Sequence, residues 1–302
     1  MAKENRLGQT PPFAWFGGKR QVTSLVWQRF GKINSYAEPF AGGMAVGLAC
    51  PYWQELNGET YNDADGLLVN CWRSIATHPA VVWTNANRPR AEVELRSWGR
   101  WLREEVDQQR LVERLQNDPF YCDPKLAGIW LWGICASASG GFVDLRRKPT
   151  VPASRPTGVL AASVCDGYGW LLALANRLAR AIILCGDWSR VVTPVRLGHT
   201  GVVGVFLDPP YAGTESVYNQ SNRVAMEVLD WCKTNGDNPR YRIAVCGFKE
   251  YEELEALGWE PVRWKPTGGY RNKVEPERRR RIEETIWFSP HCRAESDCTN
   301  GG

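Results

Sequence analysis

The sequence lacks several features that would assign it to a class at once. No run of about 18 apolar residues occurs, which excludes a membrane-spanning helix. The first dozen residues have no apolar core of a signal peptide, so we expect a cytoplasmic protein without a membrane partner. Neither sign of charge dominates, because 37 basic and 33 acidic residues leave a net charge of +4. This balance permits a polyanionic partner without requiring one.

Metal-ligating patterns are also missing. The three histidines, His78, His199 and His291, lie far apart, and the ten cysteines include no Cys-x-x-Cys pair. We therefore expect no metal site, and reduced cysteines in the core, as the apolar surroundings of Cys50 and Cys185 indicate. With 43% hydrophobic and 23% charged residues, the composition is that of a globular protein of one or two domains. Fifteen tryptophans are unusual, and most are expected in the core, with some available to stack on a base.

Short strands alternate with helices at both ends of the chain, which favours a parallel sheet. Strand ends are predicted at 35–38 and 61–63, buried strands at 181–185 and 202–207, and further strands at 243–246, 260–264 and 282–288. Helices are predicted up to Ala49 and at 67–75, 171–178, 223–233 and 251–257. Between the two sheet regions, the pattern predicts one long charged helix at 92–115, a second helix at 125–137 and a loop at 138–163. This middle part is typical of an inserted module.

Asp208-Pro209-Pro210-Tyr211 carries the strongest chemical signal. It follows a predicted buried strand, where open α/β sheets bind their ligands. The prolines fix their φ angles and donate no backbone hydrogen bond, which leaves carbonyl oxygens available beside a carboxylate. We expect Asp208 and the Pro209 carbonyl to accept the two hydrogens of an amino group on a flat ring, with Tyr211 stacked on that ring. The alternative is a proline-rich turn with a capping aspartate.

Two further segments fit a nucleotide-like ligand. Glu38-Pro39-Phe40-Ala41-Gly42-Gly43 places an acid and then glycines between a strand and a helix, so that a ligand can approach the backbone. Asp63 follows about 20 residues later at the next strand end, where a carboxylate can hold a ribose. Asp63 could equally be the N-cap of the helix that begins near Gly66.

Together these segments resemble the Dam-type DNA adenine-N6 methyltransferases. Five motifs occur in the family's order: Trp15-Phe16-Gly17-Gly18-Lys19, Glu38-Pro39-Phe40-Ala41-Gly42-Gly43, Asn62-Asp63, Gly186-Asp187-Trp188 and Asp208-Pro209-Pro210-Tyr211. The resemblance implies a class I methyltransferase fold with a Rossmann-like sheet. It places the catalytic domain at 1–76 and 165–302 and a mainly helical and loop target-recognition insertion at 77–164.

The resemblance also implies that the cofactor is S-adenosylmethionine (SAM). The implied cofactor residues are Trp15, Gly17, Gly18, Lys19, Glu38, Pro39, Phe40, Ala41, Gly42, Gly43, Asp63, Asp187 and Trp188. Within this set, Asp63 would bind the ribose hydroxyls, Asp187 would hydrogen-bond the adenine of SAM and Trp188 would pack against that ring. For Trp15 and Trp188, a purely core role is the alternative.

The implied reaction is methylation of adenine N6 in double-stranded DNA, with Asp208 to Tyr211 holding a flipped base. Candidate DNA contacts are basic residues in the loop at 138–163 and in the loop near Arg271 and Arg278, together with Lys19 and Gly141. The alternative for each basic residue is a solvated surface charge. The candidate DNA-binding residues are Lys19, Gly141, Arg146, Arg147, Lys148, Arg271, Lys273, Arg278 and Arg279. No obligate protein partner is evident, so a monomer or weak dimer is expected. Restriction-modification and phage enzymes both fit.

The sequence departs from the family pattern at two positions, and it lacks the phosphate-loop motif of ATPases. The third glycine of the family's turn is Met44 here, and the lysine that commonly precedes Trp15 is Ala14, so we do not transfer a target sequence from other members. Gly18-Lys19 is followed by Arg20, which breaks the phosphate-loop pattern of ATPases. The remaining alternatives are methylation of RNA adenine or of cytosine N4, and a catalytically silent DNA-binding protein of the same fold.

Overall fold

The computed structural model describes residues 8–15, 17–137, 142, 150–152, 154–210, 218–264 and 284–294, with the backbone alone at 218–221. The chain forms two compact units. The first comprises the described residues of 1–19, 41–49 and 60–190, and the second those of 20–40, 50–59 and 191–302. The described residues of the predicted insertion at 77–164 all belong to the first unit. Its boundaries as a functional domain stay a prediction.

The strands form a seven-stranded, mostly parallel sheet in the order β3-β2-β1-β4-β5-β7-β6, which confirms the predicted Rossmann-like α/β fold. The strands are β1 Ser35–Glu38, β2 Gly58–Asp63, β3 Ile182–Cys185, β4 Val203–Leu207, β5 Tyr241–Gly247, β6 Glu260–Trp264 and β7 Glu284–Phe288. Parallel pairs join β2 to β3, β1 to β4 and β4 to β5. The last strand, β7, runs antiparallel to both β5 and β6.

The helices predicted up to Ala49 and at 67–75, 171–178 and 223–233 are present, and the segment predicted at 251–257 is a 3₁₀ helix. The sequence analysis did not predict the helices at 23–30, 79–86 and 194–197. The helices are α1 Thr23–Phe30, α2 Ala45–Leu48, α3 Gly66–Thr77, α4 Pro79–Ala86, α5 Glu92–Glu104, α6 Gln108–Asn117, α7 Pro124–Ala136, α8 Val164–Leu178, α9 Pro194–Leu197 and α10 Tyr218–Asn235. Short 3₁₀ segments lie at Trp53–Glu55, Gly158–Ala161, Trp188–Arg190 and Glu252–Leu257. Among these described helices, none is both long and apolar enough to cross a bilayer.

Two of the predicted elements are corrected by the structure. The single helix expected at 92–115 is two helices, because Asp107 caps a new one: its carboxylate accepts the Arg110 N–H at 2.9 Å. The sequence predicts a buried strand at 181–185, but β3 is an edge strand and Ile182 is 43% exposed. Apolar composition alone does not distinguish an edge strand from a central one.

The core of the first unit surrounds α7. Eleven of its thirteen residues are buried, and Trp130 and Trp132 are among the largest buried side chains. Close approach of α4 requires a glycine, because a Cβ at Gly128 would lie 2.6 Å from the Val82 carbonyl oxygen. Eight of the fifteen tryptophans are buried, as expected for core residues.

The described cysteines are free thiols, and six of the nine are buried. Burial raises the pKa of the Cys135 thiol to about 12 and that of Cys185 to about 11, where Asp63 and Asp65 add to the rise. A thiol with such a pKa stays protonated and is a poor nucleophile at neutral pH.

Candidate active site

A glycine turn follows β1 in the chain and is held by the end of β2. The Ala41 N–H donates to the Asn62 carbonyl oxygen, and the Gly42 N–H donates to Asp63 Oδ2, each at 2.8 Å. Gly42 has a φ of 46°, a left-handed conformation that glycine adopts without steric cost. A Cβ at this position would lie 2.8 Å from Nε1 of Trp15, so the turn needs glycine for space as well. The structure therefore brings the predicted residues Trp15, Gly42 and Asp63 into one cluster.

Three aromatic residues that the sequence analysis did not single out support this turn. The indole N–H of Trp72 donates to the Gly42 carbonyl oxygen at 3.0 Å. The Phe13 ring lies 5.3 Å from the rings of both Trp72 and Trp130, and Trp130 lies 6.2 Å from Trp15. Trp72 and Trp130 occur in apolar helices, where the sequence pattern indicates only core packing.

Met44 is the position at which the resemblance would place a third glycine. Its φ of 52° and ψ of 29° are left-handed, and it is the one described non-glycine residue with a positive φ. Its N–H donates to the Ala41 carbonyl oxygen at 2.6 Å, which closes the turn at the start of α2. A left-handed conformation costs a residue with a Cβ about 1–2 kcal/mol, which explains why a glycine suits this position. The Met44 side chain is 1% exposed and packs in the core.

Asp63 is tied to its neighbours by two backbone donors. Besides the Gly42 N–H, the Asp65 N–H donates to its Oδ1 at 3.0 Å. Burial raises the pKa of this carboxyl to about 6, although these hydrogen bonds act in the opposite direction. The alternative role as an N-cap is wrong, because Asp65 caps α3 and accepts the N–H groups of Leu67 and Leu68 at 2.9 and 3.2 Å.

The end of β3 lies beside the end of β2. The Gly186 N–H donates to the Asp63 carbonyl oxygen at 2.9 Å, and the Asn62 side-chain amide donates to the Gly186 carbonyl oxygen at 3.0 Å. Asp187 follows at once and is exposed, with Oδ1 accepting the Ser189 N–H at 2.9 Å. Two carboxyl side chains, those of Asp63 and Asp187, thus project from adjacent parallel strand ends, where such sheets bind ligands.

The remaining predicted cofactor residues of the first unit differ in exposure. Trp188 is 6% exposed, so its burial fits the core role as well as ring packing. Gly17 and Gly18 are exposed, and the Gly18 N–H donates to the Trp15 carbonyl oxygen at 3.1 Å. Lys19 is 3% exposed, and its Nζ donates to the Gly17 carbonyl oxygen at 2.8 Å. A contact between Lys19 and DNA would require this side chain to move.

Three predicted cofactor residues belong to the second unit. Glu38, at the end of β1, is 3% exposed, and its Oε2 accepts the Tyr36 hydroxyl at 3.0 Å. Pro39 is buried and Phe40 is half-buried. Burial and the hydrogen bond from Tyr36 hold the Glu38 carboxylate in the core of its own unit.

The chain that follows β4 carries the predicted catalytic motif. Asp208 is partly buried, Pro209 is buried and Pro210 is exposed. Two side chains that the sequence analysis did not single out lie next to Asp208: the ligand atoms of Asp208, Cys246 and Glu284 are all within 4.8 Å of one another. Cys246 is 0% exposed and Glu284 is 5% exposed. We call these three residues the carboxylate cluster.

Oxygen and sulfur donors of this kind also bind metal ions, and within the described residues the carboxylate cluster is the one group of three with suitable spacing. The expectation of no metal site rested on scattered histidines. That expectation stays a prediction.

Several predicted residues lie outside the described part of the chain. They are Tyr211 of the catalytic motif and the candidate DNA contacts Gly141, Arg146, Arg147, Lys148, Arg271, Lys273, Arg278 and Arg279. Their roles stay predictions from the sequence.

Comparison with protein families bears on the cluster around Asp63. Residues 15–97 match the model of the D12 class N6 adenine-specific DNA methyltransferases. The predicted family resemblance is confirmed. The matched segment is about a quarter of the chain, and it contains the glycine turn and Asp63 but ends before Asp187 and Asp208. No individual curated protein matches the chain. The D12 class match supports an enzyme that methylates adenine in DNA.

Proposed function

We propose that the protein transfers a methyl group from SAM to N6 of adenine in double-stranded DNA. The observation that carries the proposal is the D12 class match over the very segment in which Trp15, Gly42 and Asp63 form one cluster. The second half of the argument is Asp208, which directly follows β4 and begins the motif Asp208-Pro209-Pro210-Tyr211.

The first unit offers groups that suit SAM. Two of the lone-pair sites of the Asp63 carboxylate are occupied by backbone N–H groups, and the carboxylate retains acceptor capacity for the ribose hydroxyls. The turn at Gly42 allows a ligand close to the backbone, and the exposed Asp187 can accept the adenine amino group. When bound, SAM would supply the methyl group of its sulfonium: N6 would form the new bond to carbon, the sulfur would leave as a thioether with the electron pair of the broken carbon–sulfur bond, and the proton lost by N6 would pass to water.

Asp208 binds the amino group of the target base in the proposed reaction. Adenine N6 is hidden in the duplex and conjugated with its ring, so the base must leave the stack at a cost of a few kcal/mol. Asp208 and the Pro209 carbonyl accept the two hydrogens of the amine. These hydrogen bonds favour a tetrahedral nitrogen, whose lone pair is no longer conjugated with the ring. Positioning is then the main catalytic effect, and the carboxylate stabilises positive charge that develops on nitrogen. Protonated buried thiols such as Cys135 are not needed as nucleophiles.

The test incubates the purified protein with SAM and unmethylated duplex DNA, followed by digestion and mass spectrometry of the nucleosides. We expect N6-methyldeoxyadenosine from the wild type and a loss of about 100-fold or more in rate for Asp208→Ala, because one transition-state contact of this kind is worth that much. Asp230→Ala removes an exposed aspartate of the same unit and should leave the rate unchanged.

Other outcomes select the alternatives. Methylated cytosine would retain the fold and cofactor but change the substrate. SAM binding by calorimetry without DNA methylation would favour an RNA substrate, and absence of SAM binding would favour a silent DNA-binding protein. An Asp208→Ala variant with the wild-type rate would overturn the proposed catalytic site.

A further inference from the structure

The carboxylate cluster is built by three strands of the second unit. In the parallel pair of β4 and β5, Leu207 is opposite Val245, so the next residues, Asp208 and Cys246, emerge at the same edge. The antiparallel strand β7 begins at this edge with Glu284. The placement of Glu284 beside Asp208 is therefore fixed by strand register rather than by a flexible loop.

Glu284 is a carboxylate in a strand that is otherwise buried. Burial of an ionised carboxylate costs free energy, and a second carboxylate nearby adds repulsion. Its neighbours on β7, from Thr285 to Phe288, are all buried, so the pattern of the strand alone does not call for a carboxylate here. Charged residues retained against the local rule are found most often where function requires them.

Tyr251 is a further buried polar side chain near the carboxylate cluster. Its side chain is 0% exposed, and its hydroxyl has no hydrogen-bond partner within the described residues. The ring packs on the chain next to Cys246, since a Cβ at Gly247 would lie 2.6 Å from its ring carbons. Burial raises the pKa of Tyr251, and the nearby carboxylates of Glu250 and Asp208 add to the rise. The core thus retains a second polar group at the carboxylate cluster.

We infer that Glu284 is a positioning residue for methyl transfer, which acts through Asp208 by placing a second negative charge beside the carboxylate that holds the target amine. This inference rests on the proposed function. As N6 forms its fourth bond it becomes positively charged, and a fixed negative charge close to Asp208 lowers the energy of that state more than the energy of the neutral amine. Removal of this charge should therefore lower kcat and leave the KM values for DNA and SAM unchanged.

Two substitutions separate charge from shape. Glu284→Gln retains the size of the side chain and removes the charge, whereas Glu284→Asp retains the charge and shortens the side chain. We expect kcat to fall on the order of tenfold or more for Glu284→Gln with both KM values unchanged, and to fall less for Glu284→Asp. The melting temperature of Glu284→Gln should not fall, because the variant retains the size of the side chain and removes the repulsion between Glu284 and Asp208. Glu252→Gln removes an exposed glutamate of the same unit and should match the wild type.

Each contrary result is distinct. A wild-type kcat in Glu284→Gln would overturn the inference alone, as would an Asp variant less active than the Gln variant or a parallel loss of activity and melting temperature. Loss of wild-type activity after treatment with EDTA would assign the cluster to a metal ion instead. Absence of DNA methylation by the wild type would overturn the proposed function and this inference together.

Discussion

Asp63 shows at the scale of one residue how burial and hydrogen bonds oppose each other. Burial favours the neutral acid, the backbone donors of Gly42 and Asp65 favour the carboxylate, and the pKa of about 6 shows that burial dominates. A raised pKa means that the stabilising contribution of this group is complete below its ordinary value of 3.8 and is lost as the pH rises through about 6. At neutral pH, therefore, the protein retains a charge that weakens the fold, as expected for a ligand-binding group.

The affinity for SAM should depend on this titration. If the Asp63 carboxylate accepts the ribose hydroxyls, affinity is constant above about pH 7 and falls as the pH decreases through about 6, by up to about tenfold per pH unit. Calorimetric titration with SAM between pH 5 and pH 8 measures this dependence. Asp63→Asn should bind more weakly at pH 8 and show a flat profile. A wild-type affinity that does not change between pH 5 and pH 8 would exclude Asp63 from the cofactor site.

Met44 shows what a motif can and cannot predict about one residue. The departure from glycine is visible in the sequence, and the structure gives this position the left-handed backbone that glycine adopts most easily. The direction of the side chain is not predictable from the motif, because it depends on what surrounds the turn. The structure places it in the core.

At the scale of elements, the capping residues explain which helices the sequence pattern located correctly. The ends of α7 are predicted within one residue, since Asp123 begins the helix by accepting the Leu126 N–H at 2.9 Å and Pro124 occupies its first turn. The same chemistry at Asp107 separates α5 from α6, but the apolar periodicity continues across the break. Periodicity thus predicts the buried face, and only the cap reveals the interruption.

The cost of removing a cap should depend on how much of its helix is buried. Asp123→Ala should lower the free energy of unfolding by about 1 kcal/mol, because α7 cannot fray without exposing the core of its unit. Asp107→Ala should cost a few tenths of a kcal/mol, because α6 buries only Leu111 and Leu115 and its end can open locally. Urea denaturation measures both values, and Asp123→Asn should behave as the wild type. Equal costs at both caps would contradict this dependence on burial.

At the scale of the whole molecule, sequence reasoning predicted the sheet and the cluster around Asp63, because both depend on short segments with a fixed order. It did not predict Glu284 or Tyr251 as neighbours of the catalytic motif. Each lies more than 40 residues beyond Asp208, and their proximity to it comes from the parallel register of β4 with β5 and the antiparallel return of β7. Such proximity is a property of topology, which no local pattern contains.

The net charge of +4 gives the molecule no strong general attraction for DNA, so binding must come from local clusters of positive charge. The basic run at Arg278 and Arg279 is the densest in the sequence. If both side chains contact phosphates, replacing both with alanine should weaken DNA binding and reduce the slope of log K against log salt concentration by about 2. Fluorescence anisotropy with labelled duplex DNA from 50 to 300 mM salt measures the slope.

The matched control replaces Arg96 and Arg223, which are exposed and paired with Glu92 and Glu227 on their own helices, and changes the net charge equally. A slope that both double variants share would assign the effect to net charge, and an unchanged slope in Arg278→Ala with Arg279→Ala would place that run on the solvated surface.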